Sequence, residues 1–456
     1  SAEDQMAADQ HLLMARHRIR PFESLDIVST VYATAFKRNW YKLDAVVTDS
    51  ESVKIGALLD SPLGHSAAYG VMTGQTSNGY LAVKANNREY SSRGFQTDVS
   101  FARRAFTIDA GVRLHRDDMD RFQWVDQYGI ESETMALANP GVKGSDSNRI
   151  ESSEALAGYV QVVMKAGRFS VKPGFRVESV VQRREDFGKS DPLRSGLDMK
   201  RRRNASAALL PGLGATYSAS PYVTAFAGLH KGFAPPGTTE GARPESSLNF
   251  EVGGRYHRGP RMFELVGFVS DYTNLLGADL AASGGSGSSD LFNGGAALVR
   301  GLEVSGSYNL GVLMDWRASL PVTMAYTHTR GTFSSDFESS FEPWGSVSSG
   351  DELPYLAENQ LNASLALERD RWEVALSGFW TGATRTLAGT GSIPDSGRID
   401  GHFTIDLSAD VRLADGIRAF GVVRNLTDEL YVAARRPAGL RPGMPRSLMA
   451  GLRASF

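Results

Sequence analysis

Hydrophobic and polar residues alternate with a period of two along much of the chain. In the stretch 402–413 one set is apolar and the other polar, namely Phe403, Ile405, Leu407, Ala409, Val411 and Leu413 against His402, Thr404, Asp406, Ser408, Asp410 and Arg412. The segments 105–117, 168–178 and 445–456 repeat this alternation. Successive side chains of a β-strand point to opposite faces, whereas a helix would scatter both sets around its circumference. The pattern predicts an all-β protein.

The polar sets carry too many charges for the core of a sandwich, and they suit the wet lumen of a transmembrane β-barrel. About 17 stretches have the length that a tilted membrane strand needs, the first near 10–20 and the last at 445–456. Bacterial single-chain barrels normally have an even number of strands, so 16 or 18 remains open. The predicted fold class is a transmembrane antiparallel β-barrel. Phe403, Leu407, Val411, Leu448 and Leu452 are expected to face lipid, and Asp406, Asp410 and Arg412 the lumen.

The connections between these strands alternate in length. Short turns are predicted near 103, 166, 259, 370 and 415. Long polar connections are predicted at 40–78, 119–152, 186–198, 277–292, 332–354, 385–398 and 428–444. Short turns on one side of the membrane and long loops on the other are the usual asymmetry of such barrels.

The composition of the chain excludes several classes of function but says less about its fold. The 456 residues include 49 basic and 51 acidic residues and no Cys, for a formal net charge of -2. A nucleic-acid-binding protein would have a strongly basic face, so nucleic acid is not an expected partner. The absence of Cys excludes disulfides and thiolate metal sites. Neither a nucleophile elbow nor an HExxH motif occurs, so nothing supports an enzyme, and no cofactor is predicted.

Several motifs, in their order along the chain, resemble TonB-dependent outer-membrane receptors. They are FKRNWYKLD at 36–44, GVRLHRDD at 111–118, GLHKGFAPPG at 228–237, LNFEVGGRYH at 248–257, DYTNLLG at 271–277, RGLEVSGSYNLG at 300–311 and NLTDELY followed by PGMPRSL before a terminal Phe. The alternating last strand and its closing aromatic residue are similar to the end of bacterial outer-membrane barrels. The motifs near the front look like those of receptors for ferric citrate and similar ferric-siderophore cargo.

The resemblance implies a barrel of 22 strands closed by an N-terminal plug. Counted from the C-terminus, the chain corresponds to the last 17 of these strands. Residues 1–456 are therefore expected to form the C-terminal part of the barrel domain, without the plug and about five strands. The implied partners are a ferric chelate, a TonB-type energising protein that acts through the plug, and the lipid bilayer with its lipopolysaccharide. The implied location is the bacterial outer membrane.

Four arginines are candidate ligand-binding residues, because guanidinium groups pair bidentately with the carboxylates of an anionic chelate. Arg88 falls on the lumen side near the end of a strand if Leu81, Val83 and Ala85 face lipid. Arg149 ends the long connection 119–152. Arg435 and Arg436 lie in the last long connection, which the resemblance implies contributes to ligand contact. The alternative is that all four are solvated or lipopolysaccharide-facing cations.

Two other functions fit the same strand pattern. In a passive porin, charges in the lumen select solutes by diffusion. In a structural or adhesion barrel, the loops make the contacts. The sequence upstream of residue 1 distinguishes the three functions, because only a receptor needs a plug with a segment that binds an energising partner.

Overall fold

A single antiparallel meander of seventeen long strands dominates the computed structural model, which describes residues 3–131, 134–239, 241–278, 291–435 and 440–455. We number these strands β1 (Gln5–Phe22), β2 (Leu25–Val47), β3 (Tyr80–Arg103), β4 (Phe106–Glu131), β5 (Ser147–Ala166), β6 (Phe169–Asp186), β7 (Lys200–Ser220), β8 (Val223–Ala234), β9 (Glu245–Arg258), β10 (Arg261–Asn274), β11 (Ala297–Asn309), β12 (Pro321–Phe333), β13 (Asn359–Arg369), β14 (Trp372–Thr381), β15 (His402–Ala414), β16 (Ile417–Arg424) and β17 (Ser447–Ala454). Each strand pairs with the next one along the chain. The predictions of an all-β fold and of about 17 strands are confirmed.

Short strands and helices lie at the ends of the long strands and in the connections between them. Ser52–Lys54 and Thr134–Asn139 extend the main sheet, and four two-stranded ribbons lie in the connections, formed by Leu276–Ala278 with Leu291–Asn293, Phe337–Glu338 with Ser346–Val347, Thr384–Arg385 with Arg398–Ile399, and Val432–Ala434 with Arg441–Pro442. Helices α1 (Ile55–Asp60), α2 (Ser66–Met72) and α3 (Leu310–Leu313) and the 3-10 turn Asp395–Gly397 are short. Within the described residues, no helix combines the length and apolar character needed to cross a membrane.

Tight turns join the strands at one end of the sheet, which we call the turn end. The five predicted short turns all lie there as two-residue connections, at 104–105, 167–168, 259–260, 370–371 and 415–416. Gly167 and Gly416 adopt positive φ values of 59° and 75°, a conformation that glycine adopts without a steric penalty. The opposite end, which we call the loop end, carries the long connections.

Two long connections are shorter than predicted, because the strands continue well past the membrane length. The predicted connection 40–78 begins only after Val47, and its interior forms α1 and α2. The predicted connection 119–152 is wrong over most of its length, since β4 continues to Glu131 and β5 begins at Ser147. The extended strand ends therefore carry residues that the sequence pattern assigned to loops.

Large apolar side chains are exposed on one face of the sheet. Val31, Phe95, Leu114 and Leu156 oppose one another in successive strand pairs and are 40% to 56% exposed. We call this the apolar face and the opposite side the polar face. A row of exposed, contiguous apolar side chains is what a lipid-facing surface requires.

The face predictions for the last strands agree with this pattern. Phe403, Val411, Leu448 and Leu452 are among the exposed large apolar residues. On the other face, Asp406 accepts a hydrogen bond from the Asn425 backbone, and Asp410 pairs with Arg418. Leu407 lies midway between the exposed Phe403 and Val411 and shares their face.

The sheet has two edges in the part of the chain that the structure describes. β1 pairs with β2 and β17 pairs with β16, and no pairing joins β1 to β17 in these residues. Side chains of β1 are exposed along its whole length.

Two small apolar cores lie at the loop end. The first packs α1 and α2 against the strand ends through Val46, Val53, Leu58, Ala68, Val71 and Leu81. Leu81, Val83 and Ala85 are therefore buried rather than lipid-facing, which corrects the assignment made from the sequence. The second core contains Ala297, Phe333, Trp344 and Val347 and joins three of the long connections.

Candidate functional site

Four arginines lie side by side across four neighbouring strands. Arg38 opposes Arg88 in the β2–β3 pair, Arg88 opposes Arg121 in β3–β4, and Arg121 opposes Arg149 in β4–β5. Directly opposed residues have Cβ atoms about 4.5–5.5 Å apart, and like charges in such positions destabilise a sheet. We call these four residues the arginine row. Such an alignment of like charges is uncommon on one face of a sheet and marks the row as a candidate site.

The arginine row lies on the polar face and beyond the membrane-crossing part of the strands. Arg88 is an odd number of residues from Phe95, whose side chain is exposed on the apolar face, so Arg88 points the other way. Arg121 is about 15 residues from Phe106, the first residue of β4, or roughly 50 Å along the strand. Crossing a membrane takes only about 9–11 residues of a tilted strand. The row is thus at the loop end.

Three members of the row are buried. Arg88, Arg121 and Arg149 are 5%, 1% and 6% exposed. Burial lowers the pKa of Arg121, and the positive charges of Arg88 and Arg149 lower it further. Because a guanidinium stays protonated in proteins, the lowered pKa means that the charge is held at a cost in free energy. An anion close to the row would recover part of that cost.

Neutral polar groups orient the middle of the row. Arg88 Nε donates to Asn86 Oδ1 over 3.0 Å, and the Tyr90 hydroxyl accepts from Arg88 Nη1 at 3.3 Å and from Arg38 Nη2 at 3.4 Å. Burial raises the pKa of Tyr90, but the guanidinium groups of Arg38 and Arg88 outweigh burial, so the net pKa is lowered. Tyr90 therefore connects two arginines through one oxygen without neutralising either of them.

Two carboxylates flank the row on the β5 and β6 side. Glu151 Oε2 lies 3.6 Å from Arg149 Nε, and Glu151 Oε1 lies 3.9 Å from Arg184 Nη1. Asp186 opposes Arg149 in the register and accepts from Arg184 Nη2 at 2.6 Å. The arginine row, Arg184 and these two acids thus lie together on the polar face of adjacent strands.

A cavity of about 430 Å³ lies next to the row on the polar face. Tyr90 and Glu151 line it and also contact arginines of the row. Thr238 and Leu291, from two other connections, complete its wall. The space is large enough for a small solute and is lined by hydroxyl groups and by carboxylates such as Asp117 and Glu151, while the four arginines lie beside it rather than in its wall.

The structure unites two of the four predicted site residues. Arg88 and Arg149 lie in the same row with one arginine between them, and Arg149 is on a strand rather than at the end of a loop. Arg435 lies in the last long connection, where its Nε donates to the Arg398 carbonyl. Arg436 lies outside the described residues.

Arg38, Arg121 and Glu151 were missed by sequence reasoning. Arg121 fell inside a stretch predicted as a loop, which concealed that β4 continues through it. A signal was available, because residues of a tight hairpin oppose each other at equal distances from the turn. Counting outward from the turn at 104–105 places Arg88 opposite Arg121.

Other charged groups of the polar face are paired locally. His115 hydrogen-bonds to the Tyr32 hydroxyl at 2.6 Å and to Asp117 at 2.8 Å, and Arg113 also donates to Tyr32. Within the described ranges, no group of three or more His, Cys, Asp and Glu residues is placed to hold a metal ion.

One family model matches the chain. The model for the TonB-dependent receptor-like β-barrel matches residues 22–426. No curated protein sequence matches significantly.

Solved structures with the same fold include transporters and receptors. The ferric citrate transporter FecA in its unliganded form has a TM-score of 0.67 at 16% identity, with 99% of this chain and 62% of FecA covered. The ferric-catecholate import receptor Fiu from E. coli K12 in its closed form has a TM-score of 0.71 at 14% identity, with 100% of this chain and 65% of Fiu covered. The siderophore receptor PiuA from Acinetobacter baumannii has a TM-score of 0.74 at 11% identity, with 99% and 65% covered. At these identities the likeness shows the fold, and the chain spans less than two thirds of each of these three structures.

Proposed function

The chain belongs to the family of TonB-dependent receptor-like β-barrels, and we propose that it is the barrel wall of an outer-membrane transporter that binds an anionic ferric chelate at the arginine row. The observation that carries this proposal is the alignment of four arginines on four adjacent strands, at the loop end and on the polar face. The adjacent cavity supports it.

The chemistry of the row selects the class of cargo. Ferric citrate and many ferric siderophores are anionic, and their carboxylate or catecholate oxygens accept charge-assisted hydrogen bonds from guanidinium groups. Arg38 is the least buried of the four and is the member that a solute would contact first. The buried arginines act mainly through their charge, which is screened less than charge at an exposed site.

The rest of the transport cycle follows from the family. Cargo binds at the loop end, and an energised partner in the periplasm pulls on a plug to open a path through the lumen. The residues of this chain bind the cargo and carry out no reaction on it. We further propose that other strands and a plug complete the barrel, since the free edges of β1 and β17 would leave backbone groups without partners in lipid.

Replacing Arg88 with Ala tests the proposal. The loss of one charge-assisted contact is expected to weaken binding of an anionic ferric chelate such as ferric citrate by about 1.5–3 kcal/mol, or roughly tenfold to a hundredfold. Binding is measured by titration calorimetry on the complete protein in detergent. Arg93→Ala is the matched control, because Arg93 lies on the same strand but on the apolar face and is exposed.

Two results contradict the proposal. One is equal affinity of the Arg88→Ala and Arg93→Ala variants for the anionic chelate. The other is uptake of small neutral solutes by cells that lack the energising partner, which would identify a passive porin instead.

A further inference from the structure

Two arginines flank one of the tight turns at the turn end. Arg258 is the last residue of β9 and Arg261 is the first residue of β10, and they oppose each other across the turn 259–260. Both side chains are exposed. Phe263, two residues beyond Arg261 on the same strand, is exposed on the apolar face. Because side chains two residues apart share a face, and opposed residues do too, both arginines point to the apolar face.

The position of these arginines coincides with the end of the lipid-facing stretch. On β9 the apolar-face positions that precede Arg258 carry no charge over residues 248–256, namely Leu248, Phe250, Val252, Gly254 and Tyr256. A tilted strand needs about 9–11 residues to cross the membrane, which this stretch matches. On β10 the corresponding stretch runs from Phe263 to Val269, between Arg261 and Asp271. Arg258 and Arg261 therefore lie at the boundary between hydrocarbon and water.

A tyrosine ring lies beside each guanidinium. Arg258 Cζ is 4.9 Å from the centroid of the Tyr222 ring, and Arg261 Cζ is 5.4 Å from the centroid of the Tyr308 ring. Tyr222 belongs to the turn before β8, and Tyr308 opposes Arg261 in the β10–β11 pair. Cation–π contacts restrict the positions that a guanidinium can adopt, and tyrosine is enriched at the membrane–water interface. The two arginines are thus held between two tyrosines, and we call them the tyrosine-flanked pair.

The tyrosine-flanked pair has no carboxylate partner among the residues that the structure describes. Glu264, the acidic residue nearest to the pair in sequence, forms an ion pair with Arg255 on the polar face. Like charges that oppose each other directly are unfavourable in a sheet. A phosphate group placed between the two guanidiniums would remove this repulsion, and its oxygens match the bidentate geometry of arginine.

We propose that Arg258 and Arg261 bind the headgroup phosphate of an anionic phospholipid in the membrane leaflet at the turn end. This site goes beyond the proposed function and includes no residue of the arginine row. Its depth fits a lipid headgroup, and the acyl chains of the lipid lie along the uncharged stretch beside Tyr256 and Phe263. A zwitterionic headgroup is disfavoured, because its own cation would lie near a guanidinium. A free phosphate ion would lack the contact with the apolar face.

Glutamine substitutions test the proposal, because they remove the charge and keep much of the side chain. The complete protein in detergent is titrated with phosphatidylglycerol and separately with phosphatidylcholine, and bound lipid is counted by native mass spectrometry. Arg258→Gln and Arg261→Gln are each expected to weaken phosphatidylglycerol binding about fivefold, and the double variant about thirtyfold. Where the double variant fails to assemble, lysine at both positions keeps the charge without the bidentate geometry and is expected to give a smaller loss.

The matched control is Arg255→Gln. Arg255 lies on the same strand as Arg258 and also beside an aromatic ring, with its Cζ 5.8 Å from the Phe226 centroid, but it is on the polar face and pairs with Glu264. Phosphatidylglycerol binding is expected to be the same in Arg255→Gln as in the wild type. An equal loss in the Arg255→Gln and Arg258→Gln variants would reflect net charge alone and would overturn the proposal.

Inorganic phosphate distinguishes a lipid site from a site for free anions. At the same concentration as the lipid, phosphate is expected to leave phosphatidylglycerol bound, because it gains nothing from the apolar face. Displacement of the lipid by equimolar phosphate would identify a free-anion site and refute the assignment to a lipid. Equal binding of phosphatidylglycerol and phosphatidylcholine by the wild-type protein would also refute it, since the pair would then not select an anionic headgroup.

Discussion

Arg121 illustrates how a residue can be costly for folding and still be retained. It is almost fully buried between two other arginines, and its charge is held against both burial and repulsion. In a protein selected only for stability, an apolar residue at this position would remove both costs. Buried polar and ionic groups that break the rules of packing are concentrated at functional sites. Arg121 therefore supports a ligand-binding role for the whole row.

The stability of the connection that follows Asp186, at the edge of the same cluster, is expected to depend on pH. Burial raises the pKa of Asp186, but the hydrogen bonds from Arg184 and from the Gly188 backbone outweigh burial and lower it below its ordinary value of 3.8. Because the folded-state pKa is depressed, the stabilisation is present above the ordinary pKa and is lost as the pH falls through the folded-state pKa. We expect the connection 187–199 to keep its hydrogen bond to Asp186 at pH 7 and to lose it below about pH 4.

Hydrogen exchange of the connection 187–199 measures this effect. Asp191 contributes in the same direction, since the backbone amides of Ser195 and Gly196 donate to it at 2.9 Å and lower its pKa. The Asp186→Asn variant should show faster exchange already at pH 7, with a smaller change on acidification. Exchange that is independent of pH in the wild-type protein would refute the assignment.

At the scale of elements, the long connections are folded units with cores of their own. The Trp344 ring packs edge-on against Phe333, Phe337 and Phe341, with centroids 5.0–5.9 Å apart. The neighbouring chain passes so close that a Cβ at Gly294 would lie 2.5 Å from the Trp344 ring. These contacts join connections that are distant in sequence. These parts of the loop end are thereby held in a defined shape.

Trp344→Ala is expected to unfold this loop core without preventing assembly of the sheet. Removal of a buried aromatic side chain costs about 3–5 kcal/mol, which exceeds what a small loop core can lose. The measurement is limited proteolysis of the assembled protein, with new cleavage expected between residues 334 and 358. Trp316→Ala is the control, because Trp316 is 54% exposed near α3 at the turn end. Equal protease resistance of the Trp344→Ala variant and the wild type would contradict a structural role of the core.

At the scale of the whole molecule, the two faces of the sheet meet different solvents. The apolar face exposes large side chains that a soluble protein would bury, and the polar face carries the arginine row. Only lipid on one side and water on the other makes both faces favourable.

Leu407→Arg tests the orientation of the sheet. Leu407 shares its face with the exposed Phe403 and Val411 and lies near the middle of β15, opposite Leu376. An arginine on the lipid-facing side near mid-bilayer costs about 2–4 kcal/mol. The free energy of unfolding is measured by urea titration in lipid vesicles. Ser408→Arg, on the adjacent polar-face position, should cost much less. A larger loss for the Ser408 variant would reverse the assignment of the faces.

Most of the strands, the faces of the last strands and the tight turns could be predicted from local sequence alone. The two-residue period is visible within a single strand, so Phe403 and Asp406 could be assigned to opposite faces without knowing which strands pair with theirs. The tight turns are equally local, because they depend on one or two residues such as Gly416.

Where the strands end, and which residues lie opposite one another, depends on pairing between strands and could be seen only in the structure. The ends of β4 and β5 mix polar and apolar residues on both faces, as in Asp120 and Phe122 on one face of β4 and Arg121 and Val125 on the other, so their alternation is weak and the stretch was predicted as a loop. Pairing with neighbouring strands keeps these ends extended. Pairing also brought Arg88, Arg121 and Arg149 into one row. Repulsion between them depends on register across three strands, and no single strand contains that information.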